Sequence, residues 1–149
     1  MRLSSVGSDF LAARPGVGAF VQTTRSGCTV FTSGQIAVDG SAGLLATGRV
    51  GADVDAETAL LCARQCALNI LAQLEEAYGL DNVIQVLKLT VFVASDPAFT
   101  GQHLVANGAS AVLAEVLGEA GEHTRSAIGV AALPLGSPVE VEAIIELHS

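Results

Sequence analysis

The sequence predicts an α+β protein, with a mostly antiparallel sheet of about six strands and two helices packed on one of its faces. Three observations carry this expectation. Strand-type and helix-type runs follow one another in the order ββ, α, β, α, ββ. The last run alternates, with Val139, Val141, Ala143, Ile145 and Leu147 facing one way and Glu140, Glu142, Ile144 and Glu146 the other. Between Ala56 and Tyr78, Leu60, Ala67, Leu71, Leu74 and Tyr78 recur at helical spacing.

Residues 1–15 read as a weakly specified arm, closed by Pro15, Gly16 and Gly18. Two short strands, Ala19 to Thr23 and Cys28 to Thr32, are expected to form a hairpin through Thr24, Arg25, Ser26 and Gly27. The Gly- and Ser-containing piece from Asp39 to Gly51 reads as a loop. Asp55 offers an N-cap to the first helix and Gly79 ends it. The run from about Val86 to Ala94 is rich in β-branched residues and reads as a buried strand.

Asp96 followed by Pro97 predicts the start of a second helix, striped by Val105, Ala109, Val112, Leu113 and Val116 and stopped by Gly118. Gly108 inside it implies close approach of another backbone. A second face of this helix carries His103, Asn107, Ser110 and Ala114, polar or small rather than charged. Strands from Arg125 to Ala132 and from Val139 to Leu147 flank a turn around Pro134 and Pro138. No internal repeat or linker divides the chain, so residues 1–149 read as a single domain.

Composition narrows the function. Fifteen acids against seven bases give a formal charge of −8, which disfavours a nucleic-acid backbone as partner. Aromatics are 4% of the chain, so a stacking platform for bases is not expected. The most apolar run is interrupted by Gln85, Lys88 and Thr90 and falls short of the about 20 residues a bilayer needs. With no secretory h-region at the N-terminus either, the expectation is a cytoplasmic protein without a membrane partner. Cys28, Cys62 and Cys66 read as small buried hydrophobes; no histidine accompanies them at ligand spacing, and no metal is expected.

Arg125 is the most informative charge, since it opens a strand of small residues that includes Ala127 and Gly129. A guanidinium there can make two parallel hydrogen bonds to a carboxylate. The alternative is an ion pair with Glu119 or Glu122. Glu140 and Glu142 share a strand face, either as solvated residues or with one carboxylate orienting a water. His123 lies in a loop and stays open between a structural and a catalytic role. Ser33-Gly34-Gln35 ends a strand, where glycine admits a ligand and backbone N–H groups can bind an anionic oxygen, unless it is a plain turn.

Taken in order, Phe31-Thr32-Ser33-Gly34-Gln35, Leu89-Thr90-Val91-Phe92-Val93, Arg125-Ser126, Leu133-Pro134 and Val139-Glu140-Val141-Glu142-Ala143-Ile144 resemble the reactive intermediate deaminase (Rid, or YjgF-type) family. The resemblance covers about residues 17 to 147 and is most specific in its last block. It implies a chorismate-mutase-like fold and a homotrimer with pockets at the subunit interfaces. It also implies cofactor-free hydrolysis of 2-imino and enamino acids to 2-keto acids and ammonia. By position, Arg125 matches the arginine that holds a substrate carboxylate, and Glu140 the glutamate that positions water. Ser33 and Gly34 match the pocket wall, and Asn107 an asparagine of the second helix.

Two pocket positions depart from the family pattern. Phe20 stands where a tyrosine is common, and Ala127 where a cysteine is common. These changes keep open non-catalytic binding of a small carboxylate as an alternative to deamination, with endoribonuclease activity a third reading opposed by the charge. If the last two strands paired as a hairpin, Arg125 and Glu140 would lie roughly 20 Å apart along the sheet. They are therefore expected to meet across a subunit boundary.

Overall fold

The computed structural model describes residues 18–40 and 42–149; the expected N-terminal arm, residues 1–15, lies outside them. The chain enters the sheet through β1 (Thr23–Ser26) and β2 (Thr29–Thr32), paired antiparallel with Arg25 opposite Val30. The hairpin is present, but its first strand is not Ala19 to Thr23. The residues expected to form the turn are the strand, and the reversal falls at Gly27, whose φ of 60° places it in the left-handed region. Polar Thr24, Arg25 and Ser26 suit this position because β1 is an edge strand.

β3 (Gln35–Ile36) continues from β2, and β4 (Val38–Asp39) and β5 (Gly43–Leu44) form a separate two-stranded ribbon within the expected loop. α1 (Ala56–Tyr78) has the predicted bounds. Asp55 accepts the Thr58 N–H at 2.7 Å, and the Gly79 N–H donates to the Leu74 and Glu75 carbonyls. β6 (Val83–Ala94) begins three residues before the expected strand. α2 (Gln102–Leu117), β7 (Thr124–Val130) and β8 (Val139–Leu147) complete the fold.

α2 does not begin at Asp96-Pro97. The Asp96 side chain caps a turn instead, accepting the Ala98 N–H, while its carbonyl accepts the Phe99 N–H. Gln102 then anchors the helix start by donating to the Phe99 carbonyl and Ser95 Oγ. A cap followed by proline specifies a turn as well as a helix, and here the turn is not extended.

The main sheet runs β1-β2-β8-β6-β7, with β3 also paired to β8. Its pairs are antiparallel except β6 with β7, which are parallel and joined by α2. The last two strands are therefore not a hairpin. β8 is occupied on one edge by β6 and on the other by β2 and β3, so the turn through Pro134–Gly136 carries the chain past β6. The architecture is the expected α+β one, a mixed, mostly antiparallel sheet of six strands under two helices.

Both helices pack on the face carrying Leu89, Val91, Val93, Val139, Val141 and Ile145, all fully buried. Each such side chain contributes about 1.5–3 kcal/mol on burial. A Cβ at Gly108 would stand 2.1 Å from the Leu60 carbonyl oxygen, so the close approach of α1 and α2 requires glycine. Cys62 and Cys66 are buried here, and burial pushes the Cys62 thiol up to about 11 and Cys66 upward as well. Cys28 departs from expectation: it lies half-buried in the β1–β2 turn. Among the described residues, no helix is long and apolar enough to cross a membrane.

Candidate functional site

The expected site residues fall into two groups. The first is built on β7 and α2. Arg125 lies beside Leu89 on the sheet's outermost strand, and its side chain turns to the helix side. Its Nη1 donates to Asn107 Oδ1 and Ser110 Oγ, each at 3.0 Å, and its Nη2 donates to the His103 carbonyl at 3.1 Å. Residues 103, 107 and 110 are spaced by four and three, which places them on one helical stripe facing the strand edge. Ala127 lies on the same face of β7 and packs against the core.

Every acceptor of the Arg125 guanidinium is neutral. The expected alternative, an ion pair with Glu119 or Glu122, is not formed; the ion pair among the described residues is Arg64–Glu115, at 3.3 Å. Arg125 is thus a fixed, half-buried cation that pairs with no acid among the described residues. A site of this kind favours an anion, because two charged partners share stronger hydrogen bonds than a charge and a neutral acceptor.

The second group surrounds Glu140. Glu140 alternates with buried Val139 and Val141, so it lies on the sheet face opposite the helices. A Cβ at Gly34 would stand 2.0 Å from Glu140 Oε1, so Gly34 leaves room for this carboxylate. Burial raises the Glu140 carboxyl above its ordinary pKa, and Glu142 on the same face raises it further. The Ser33 hydroxyl donates to the Val21 carbonyl at 2.6 Å, which ties the segment carrying Phe20 to this end of the sheet. Phe20 itself is 54% exposed.

One expectation for Ser33 is corrected. Its backbone N–H donates to the Gln22 carbonyl at 2.8 Å, so it is not available to an anion. Chain closure between Gln22 and Ser33 uses the group that the turn was expected to leave open.

Within one chain the two groups do not converge. Arg125 aligns with Leu89 and Glu140 with Phe92, three residues along β6 and two strand spacings across it. That separation is about 14 Å between backbones, with the side chains on opposite faces. The distance is shorter than a hairpin would give because both strands flank β6, yet a small ligand still cannot span it.

Two further residues join the network: Ser110, noted in sequence only as part of the polar face of α2, and His123, whose role was left open. Ser110 Oγ lies 2.9 Å from His123 Nε2, and His123 Nδ1 lies 2.6 Å from the Gly121 carbonyl. The legible signal was the uncharged polar stripe of α2. Its target was hidden, because only the parallel placement of β7 brings Arg125 against it. Among the described residues no cluster of three or more His, Cys, Asp or Glu side chains is arranged to hold a metal ion.

Residues 11–147 match the family model described as "Endoribonuclease L-PSP". Protein TCP17 of Trypanosoma cruzi is 42% identical over 149 residues, covering 99% of this chain and 92% of that protein. The 2-iminobutanoate/2-iminopropanoate deaminase of Rattus norvegicus is 33% identical over 128 residues, covering 86% of this chain and 80% of the enzyme. Among solved structures, Atu1372 of Agrobacterium tumefaciens, described as of unknown function, is 44% identical with a TM-score of 0.91, over 99% of this chain and 91% of that one.

Proposed function

The chain belongs to the endoribonuclease L-PSP (YjgF/Rid) family, and from that premise we propose that it hydrolyses small 2-imino and enamino acids to 2-keto acids and ammonia. The observation that carries the reading is Arg125, a guanidinium fixed by three neutral acceptors and paired with no acid among the described residues. A substrate carboxylate supplies the missing anion and points its C2 away from the strand edge.

Glu140 supplies the proton handling. Its raised pKa brings a carboxylate closer to the operating range of a general base. It accepts a proton as water adds to C2 of the iminium, returns it to the amino nitrogen, and takes up the hydroxyl proton as the C–N bond breaks and the C=O bond forms, passing that last proton to the departing ammonia or to solvent. The imine carbon becomes the keto carbon, the water oxygen stays with it, and ammonia leaves. Asn107 steadies Arg125, and Ser33, Gly34, Phe20 and Ala127 are proposed as the wall; neither a cofactor nor a metal enters the reaction.

Because Arg125 and Glu140 lie on opposite faces about 14 Å apart, the reading places the β7 edge of one protomer against the open sheet face of another. Support for this assembly comes from Phe31, Ile128, Ile84 and Leu87, which leave that face 38–45% exposed at large apolar side chains. The proposed unit is a homotrimer. Arg125→Ala is expected to lower kcat/KM for 2-iminopropanoate by about 100-fold, the worth of a charged hydrogen-bonded pair; equal rates for variant and wild type reject the role.

A second reading, binding of a small carboxylate without turnover, is favoured by Phe20 and Ala127, which place no hydroxyl or thiol at those wall positions. It predicts saturable calorimetric binding of 2-keto acids with no imine hydrolysis, and measurable turnover rejects it. RNA cleavage, which the family description names, runs against the charge of −8.

A further inference from the structure

Behind Arg125 a chain of polar side chains runs from α2 to the turn before β7. Arg125 donates from Nη1 to Ser110 Oγ, and a guanidinium cannot accept in return. The Ser110 hydroxyl is thereby left with its own proton to place, and His123 Nε2 is 2.9 Å away. If Nε2 accepts that proton, the neutral imidazole carries its hydrogen on Nδ1, which faces the Gly121 carbonyl at 2.6 Å. Each donor then meets an acceptor, and the hydrogen-bond direction runs unbroken from Arg125 through Ser110 and His123 to the backbone.

The far end of this chain is anchored by packing. A Cβ at Gly121 would stand 2.2 Å from the Leu113 carbonyl oxygen, so the turn before β7 is pressed against the α2 backbone. That contact holds the Gly121 carbonyl and His123 in place relative to Ser110, on the helix that also supplies Asn107 and the His103 carbonyl.

We infer that Ser110 and His123 are positioning residues, a relay from the Gly121 carbonyl that fixes the orientation of Arg125 for a carboxylate ligand. The inference deepens the proposed function and rests on it for the identity of the ligand. The relay touches no reacting atom, so its loss weakens ground-state and transition-state binding alike: KM rises and kcat holds.

The test has two arms on the full chain. Nitrogen-15 NMR of wild type is expected to show His123 with hydrogen on Nδ1, and Ser110→Ala to shift the Nε2 signal. Hydrogen on Nε2 instead, or an Nε2 signal indifferent to Ser110→Ala, overturns the relay. In the second arm His123→Leu is expected to raise both the KM for 2-iminopropanoate and the calorimetric Kd for pyruvate about five- to tenfold.

Ser110→Thr and His123→Gln, which keep a hydroxyl and an acceptor, are expected to recover most of the affinity. In an Arg125→Ala background His123→Leu should cost nothing further. An unchanged KM, a fall in kcat alone, or full additivity with Arg125→Ala overturns the inference. A wild type that neither binds pyruvate nor hydrolyses the imine overturns the carboxylate reading and the positioning role with it, while the NMR arm still decides whether the hydrogen-bonded relay exists.

Discussion

At the scale of single residues, the two proposed catalytic groups are held in opposite ways. Arg125 is surrounded by acceptors that stabilise its charge, whereas Glu140 is pressed into a setting that disfavours its charge. The second arrangement has a signature in stability. A glutamate whose pKa is raised on folding contributes fully when protonated, below its unfolded pKa, and loses that contribution as pH rises through the folded value. Glu140→Gln is therefore expected to be more stable than wild type at neutral pH in thermal melts. The advantage should shrink toward about pH 4, where both side chains are uncharged; a constant difference across that range contradicts the assignment. The same variant should lose at least about 100-fold in kcat.

Gly34 tests the placement of that carboxylate. Its added Cβ would overlap Glu140 Oε1, the movable end of a flexible side chain, so Gly34→Ala should fold and displace the carboxylate. Retained melting temperature with strongly reduced turnover is the expected outcome in melting and imine hydrolysis assays, and unchanged turnover opposes it. Arg125 stood out in the sequence as a lone charge among small residues, whereas the roles expected of Glu140 and Gly34 rested on the family resemblance. The link of Ser110 and His123 to Arg125 was not legible, since a residue that acts through another carries no local mark of its partner.

At the scale of elements, the contact between α1 and α2 carries the sharpest constraint. Gly108→Ala would set a Cβ 2.1 Å from the Leu60 carbonyl, and a backbone atom cannot swing aside. The helices must separate, at a cost of about 2 kcal/mol, read as a melting temperature lower by several degrees. An unaltered melting temperature would show that the pair is loosely packed.

Sequence pattern was sufficient where a strong local signal had no competitor. α1 shows this, with an aspartate cap, a long apolar stripe and a terminal glycine in agreement. It misled where one signal serves two structures: Asp96-Pro97 opens a turn, and polar Thr24-Arg25-Ser26 suits an edge strand as well as a loop. The largest gap was strand partnering. Alternation along β8 identified its buried face but says nothing of its neighbours, so the parallel β6–β7 pair, and with it the setting of Arg125, required the tertiary structure.

At the scale of the whole molecule, the proposed reaction needs more than one chain. One chain holds the Arg125 guanidinium at a sheet edge and the Glu140 carboxylate on the far face, too distant to serve one small substrate. The open face between them carries large apolar side chains as well as Glu140, Glu142 and Lys88, which suits burial against another copy better than solvent. Light scattering is expected to give three times the 15.1 kDa chain mass, and a monomer would remove the proposed pocket. The acidic whole, at −8, also separates a small carboxylate held by one arginine from a polyanion bound across a surface. Absence of RNA binding even at low salt is the corresponding expectation.

The most direct test of a shared site is complementation. Arg125→Ala and Glu140→Gln proteins, each inactive alone, are unfolded together in equal amounts, refolded, and assayed for 2-iminopropanoate hydrolysis against wild type treated likewise. Random trimers in which one copy lends Arg125 and its neighbour lends Glu140 should restore about a quarter of the wild-type rate. Mixed trimers that form without any recovery of activity, beside an active wild type, would contradict a site divided between subunits.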